Sequence, residues 1–198
     1  MTKKEFVKAQ RQFTVELLTE LKPEQWKYRT LCKGWSVEDL AAHLVTRERN
    51  IIGGLGLAVP SLHRLHDKRI AKVTTHSHEY IIEKLEKYPS HMPASLNTAE
   101  FWVHNEDILR GELNMDRPAP NKAANAILWG SLKGLVKIKK DMVADIGNAD
   151  LINSETKEHI RIRFDKKPKI TTITGAASEL LLYFYGRRSV AKVKTEKP

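Results

Sequence analysis

The chain has 198 residues, 41% of them hydrophobic, which suffices for the core of one domain, or of one domain with a small appendage, without disulfide support. Its single cysteine, Cys32, excludes an internal disulfide and any cysteine-rich zinc motif, and the longest apolar run, "NIIGGLGLAVP", is too short and glycine-broken to span a membrane. The net charge of +10 draws polyanions in general, but it is spread over "KGLVKIKKD", "IRIRFDKKPK" and "GRRSVAKVKTEKP" with no RNP-like signature, finger or long basic helix, so neither a specific nucleic-acid partner nor a membrane is expected.

The chain opens on "MTKKEF", with no apolar signal core behind it, and a soluble, cytoplasmic protein is expected, monomeric or homodimeric. Phe6, Phe13, Leu17, Leu18 and Leu21 recur at helical spacing before Pro23 and predict the first helix. After the loop "KYRTLCKGW", Ser36 and Asp39 form an S-x-x-D start for a second helix from Val37, with Leu40, Ala41, Leu44 and Ile51 on its apolar face and His43 half-buried at its border. A third helical region over residues 61 to 88 is interrupted near "TTHSH". Five of the eight histidines fall between 63 and 91, and His63, His66, His76, His78 and His91 read as solvated. The Pro-punctuated "YPSHMPASLN" leads into a helix over 98 to 113, and residues 121 to 146 form another, stopped by Gly147. Residues 1–147 therefore read as a four-helix bundle. In 148–198 the period changes to two: "HIRIRF", "KITTIT", "AASELLLYFY" closed by Gly186, and "SVAKVK" make a small β-β-α-β unit packed on the bundle, and the chain is mainly α overall.

The helix "TAEFWVHNEDILRGEL" carries an unusual feature. Glu100, His104 and Asp107 make one polar stripe bordered by Phe101, Val103 and Ile108. Glu100 and His104 are four residues apart, so both project from one face and can grip one metal ion; they can equally be a hydrogen-bonded pair inside the bundle. "ETKEH" repeats the spacing at Glu155 and His159, but in a polar turn. His43, on a facing helix, is the candidate third ligand, and Asp107 either orients His104 from behind or serves as a salt-bridge partner. Two histidines and one carboxylate suit zinc, with nickel, iron and manganese also open. Cys32 reads as a buried structural cysteine.

Three blocks, "TLCKGWSVEDLAAHL", "NTAEFWVHNEDILR" and "GAASELLLYFYGRR", in that order resemble the signature blocks of the mycothiol-dependent maleylpyruvate isomerase family, within the DinB-like bundles, and in particular a short-form metal-binding subgroup with the same "T-x-C-x-G-W" entry. The resemblance implies a DinB-like bundle over 1–147, a divalent metal held by His43, Glu100 and His104, and mycothiol or another low-molecular-weight thiol as co-substrate with a small electrophile. It gives Arg187 in "YGRR" the role of reaching a substrate carboxylate, which its planar fork suits; a plain helix C-terminal cation is the other reading. The implied activity is that of a metal-dependent thiol transferase or thiol-assisted isomerase. Against the full-length isomerase the C-terminal part reads as shorter, and maleylpyruvate itself does not carry over. A non-catalytic metal-binding or stress-related protein whose basic surface contacts a polyanion is the alternative.

Overall fold

In the computed structural model, which describes residues 1–49, 63–87 and 92–197, those residues form seven α-helices and a four-stranded sheet. The expectations placed on Ile51, on the "NIIGGLGLAVP" run and on His91 fall outside the described residues. The helices are α1 (Lys3–Glu20), α2 (Val37–Arg49), α3 (His63–Val73), α4 (His78–Lys87), α5 (Ala94–Leu109), α6 (Lys122–Lys139) and α7 (Ala177–Phe184). The strands are β1 (Ala149–Asn153), β2 (His159–Ile162), β3 (Thr171–Gly175) and β4 (Lys194–Glu196). The architecture is the expected one, a mainly α, DinB-like helical bundle with a small C-terminal α/β part. No described helix is long and apolar enough to cross a membrane.

Chain contacts define two compact units, Lys3–Arg117 and Pro118–Pro198, the latter with Met1–Thr2. The expected division at Gly147 differs because α6 packs against α7 and therefore groups with the sheet.

In the first unit α1 packs on α4 and α5, and α2 packs on α3 and α4. The helical spacing read from the sequence makes this core: Leu17, Leu18, Val37, Leu40, Leu44, Ile81, Leu85, Phe101 and Ile108 belong to one buried cluster. Each fully buried leucine or phenylalanine here stabilises the fold by about 1.5–3 kcal/mol relative to an exposed position. The break expected near "TTHSH" lies between α3 and α4, where the Thr74 and Thr75 hydroxyls turn back to the carbonyls of Ala71 and Lys72 and compete with helix continuation.

In the second unit α6 starts at Asn121, whose Oδ1 accepts from the Ala124 N–H at 3.0 Å, and runs into a 3-10 turn over Lys140–Ile146. The sheet order is β2-β1-β3-β4, with β1 antiparallel to β2 and parallel to β3. The central strand β1 is an addition to the expected β-β-α-β order. The last strand also lies further on: Val190 and Ala191 N–H groups donate to the Arg187 carbonyl, forming a turn that delays pairing with β3 to Lys194–Glu196. Gly186, at φ 83°, closes α7 in the left-handed region, as expected of a glycine after a helix C-terminus.

Candidate metal centre

Two helices position the candidate ligands, and each has a local reason to begin where it does. Ser36 and Asp39 form the capping box: Ser36 Oγ accepts from the Asp39 N–H at 3.2 Å and Asp39 Oδ2 accepts from the Ser36 N–H at 2.9 Å, so α2 starts at Val37 and His43 falls in its second turn. α5 begins after Pro93, whose carbonyl accepts from the N–H groups of Leu96 and Asn97. The i, i+4 relation then stacks Glu100 and His104 on the side facing α2.

His43, Glu100 and His104 meet around one point. His43 Nε2 is 3.0 Å from Glu100 Oε1 and His104 Nε2 is 3.2 Å from the same oxygen, and one donor atom of each residue lies within 4.8 Å of the others. The two imidazoles cross at 76° with centroids 5.1 Å apart. Such spacings fit a tetrahedral cation with bonds of about 2.0–2.2 Å, and the donors are the nitrogen–oxygen mixture that zinc accepts. His43 is fully buried, not half-buried at a helix border, because Trp35 packs against its ring at 5.0 Å and α3 covers its other nitrogen.

Arg47, one turn beyond His43, was absent from the sequence-based site. Its Nε stands 3.2 Å from Glu100 Oε1, and its guanidinium also reaches the Asn97 side chain, the Leu96 carbonyl and Glu48. Burial pushes the Glu100 carboxyl up, but Arg47 and hydrogen bonds to His104 and His43 outweigh it and hold it well below the usual carboxylate range. Burial draws His43 down to about 4, so the ring is neutral and offers a nitrogen lone pair at neutral pH. For His104, burial acts downward as well, yet hydrogen bonds to Asp107, Cys32 and Glu100 raise it well above 6.5.

The rear of His104 is closed by Asp107, whose Oδ2 accepts from Nδ1–H at 2.9 Å and from the Cys32 thiol at 3.1 Å. Cys32, expected to be buried, is half-buried, and its Sγ lies 3.8 Å from His104 Nδ1 at the site. The loop that brings it there bends at Gly34, φ 84°, and closes through Thr30 N–H to the Trp35 carbonyl and Val37 N–H to the Tyr28 carbonyl. It is stitched to the end of α5 by Leu31 N–H to the Asp107 carbonyl and by Glu112 N–H to the Arg29 carbonyl, at 3.1 and 2.8 Å.

Gly111 makes this seam possible. A Cβ there would sit 2.3 Å from the Arg29 carbonyl oxygen and 2.9 Å from Thr30 Cα, both backbone atoms. Gly111→Ala is expected to lower unfolding stability by about 1–3 kcal/mol, the cost of overpacking, and to displace the loop bearing Cys32. Urea unfolding with an unchanged midpoint would show that the seam adapts freely.

His66 departs from expectation as well. Far from solvated, it is 2% exposed, and its Nε2 lies 2.9 Å from His43 Nδ1. His78, half-buried, stacks on Trp26 at 3.9 Å and pairs with Glu38, whereas His76 is exposed and stacks on Tyr80. Glu155 and His159, the second pair with ligand spacing, stand in a turn and a strand and take separate partners, Asn125 and Asp150. Arg187 lies in the second unit, where its Nη1 donates to the Tyr185 carbonyl at 2.6 Å.

The sequence family described as "Mycothiol maleylpyruvate isomerase N-terminal domain" matches residues 7–89, a span that includes His43 and His66 and ends before Glu100. No curated protein sequence matches the chain. Two solved structures, of the mycothiol-dependent maleylpyruvate isomerase and of a histidine-to-alanine mutant of it, are similar over 100% of this chain and 95% of theirs, each with a TM-score of 0.66 and 14% identity. That coverage removes the expected shortening of the C-terminal part. Residues 7–89 thus match the mycothiol maleylpyruvate isomerase N-terminal domain family, and the chain as a whole takes the DinB-like fold of mycothiol-dependent maleylpyruvate isomerase.

Proposed function

We propose that the chain is a cytoplasmic, metal-dependent enzyme that adds or exchanges a low-molecular-weight thiol of the mycothiol type on a small electrophile, as a thiol transferase or a thiol-assisted isomerase. The observation that carries this reading is the convergence of His43 Nε2, Glu100 Oε1 and His104 Nε2, with both histidines backed at Nδ1. The three residues would hold a divalent ion, zinc by donor type, leaving room for a further ligand. When bound, such an ion lowers the pKa of a thiol that meets it, so that the thiolate is available near neutral pH.

The protein's own residues have distinct tasks in this reading. Arg47 keeps Glu100 ionised, and Asp107 fixes the ring of His104 with Nε2 turned inward. The Cys32 thiol donates to Asp107 and so shares in orienting that carboxylate. Arg187 is the proposed partner of a substrate carboxylate, a planar fork suited to two parallel hydrogen bonds.

The test is thiol-dependent consumption of an α,β-unsaturated oxo acid, followed by its ultraviolet absorbance, with zinc-loaded protein and mycothiol. Turnover above the thiol-only rate that is lost in Glu100→Gln supports the reading. Equal rates with wild type and Glu100→Gln across zinc, nickel and manganese would sink it.

A further inference from the structure

His43 and His104 offer the same atom, Nε2, to the centre, but different groups stand behind them. Behind His104 is a carboxylate, which can only accept from Nδ1–H. Behind His43 is a second imidazole, that of His66 on α3. The contact is 2.9 Å, the rings meet edge to face at 74°, and the two residues are 0% and 2% exposed, so water does not substitute for either partner.

We propose that His66 is a positioning residue that holds His43 in the orientation and tautomer a metal requires. The chemistry of two facing imidazoles suits this. With no ion present, neutral His43 donates Nε2–H to Glu100 Oε1, and its Nδ1 accepts from His66 Nε2–H. When Nε2 gives its lone pair to a cation, the remaining proton of His43 must sit on Nδ1, and His66 Nε2 then accepts from it, with the His66 proton on its own Nδ1. Each ring keeps one proton in both arrangements, so the exchange of roles adds no charge to the buried pair. A carboxylate at this place would serve only the second arrangement, and a lysine only the first.

This role rests on the metal reading above, and the experiment separates the two. Zinc affinity is measured by competition with a chromophoric chelator for wild type, His66→Ala and His66→Gln. The glutamine amide can both donate and accept and is the conservative variant. In parallel, imidazole proton NMR of the metal-free protein looks for a slowly exchanging proton between His43 and His66. The expected result is a loss of about 10–100-fold in zinc affinity for His66→Ala, the range usual for an outer partner of a ligating histidine, with most of it restored in His66→Gln, and a protected imidazole proton that the wild type shows and both variants lack, because His66 Nε2 carries it. Zinc bound equally by wild type and His66→Ala, or no protected proton in the wild type, would overturn the positioning role. A protected proton in a wild type that binds no zinc would overturn the metal reading itself, and the positioning role with it. His66→Gln no better than His66→Ala, both folded, would reduce His66 to packing and also overturn the role.

Discussion

Protein purified without a metal-affinity tag is expected to carry close to one equivalent of a divalent metal, and His104→Ala to carry essentially none. The reason is geometric. His104 contributes one of three donors converging near Glu100 Oε1, and Asp107 holds it in place, so alanine removes a ligand and leaves only His43 and Glu100 of that set. Loss of a ligand should exceed the roughly 10–100-fold effect of losing an outer partner. His43→Ala should behave likewise, while His159→Ala, whose imidazole pairs with Asp150 in the other unit, should leave metal content unchanged. Elemental analysis of the four proteins decides it: stoichiometric metal in folded His104→Ala would refute the proposed ligand set. Circular dichroism supplies the control for folding.

Arg47→Ala should be the most destabilising single truncation of a polar residue near the centre, by about 3–5 kcal/mol in metal-free protein. Arg47 is 5% exposed and stands between two carboxylates, the buried Glu48 and the half-buried Glu100, while Arg11 supports Glu48 from α1. Removing the guanidinium leaves Glu100 with only the two imidazoles, and leaves the Asn97 side chain and the Leu96 carbonyl without its donors. Denaturant unfolding measures the loss. Because a bound cation would neutralise Glu100, saturating zinc should recover part of it; at 100 times the dissociation constant, binding to the folded state alone contributes about 2.7 kcal/mol. A loss below about 1 kcal/mol would mean that water or a shifted side chain replaces the arginine without difficulty.

The chain's periodicities were legible wherever one face of an element met one core. The 3.6-residue spacing of Phe6, Leu17 and Leu18 on α1, and of Leu40 and Leu44 on α2, marks helices because each helix buries a continuous stripe. The alternation in "HIRIRF" marks β2 because that strand exposes Arg161 and buries Ile160 and Ile162. β1 escaped notice for the opposite reason. Its sequence "ADLIN" has modest strand propensity, with Asp150 and Asn153 among its five residues, and it is a strand because β2 and β3 supply hydrogen bonds on both sides. A central strand can draw on its neighbours in a way that no local window records.

The candidate centre divides along the same line. Sequence alone determined that Glu100 and His104 share a helix face, since four residues make about one turn, and that Asp107 lies on the same side. It also marked the start of α2, and hence the place of His43, through the Ser36–Asp39 box. Only the tertiary structure decided that His66, 23 residues from His43, is buried against it, and that Cys32, 75 residues from Asp107, shares that carboxylate with His104. A histidine among other histidines on a polar helix carries no local sign of burial. Whether its ring meets water or another ring depends on which helix packs over it, and that is settled by contacts between segments far apart in the chain.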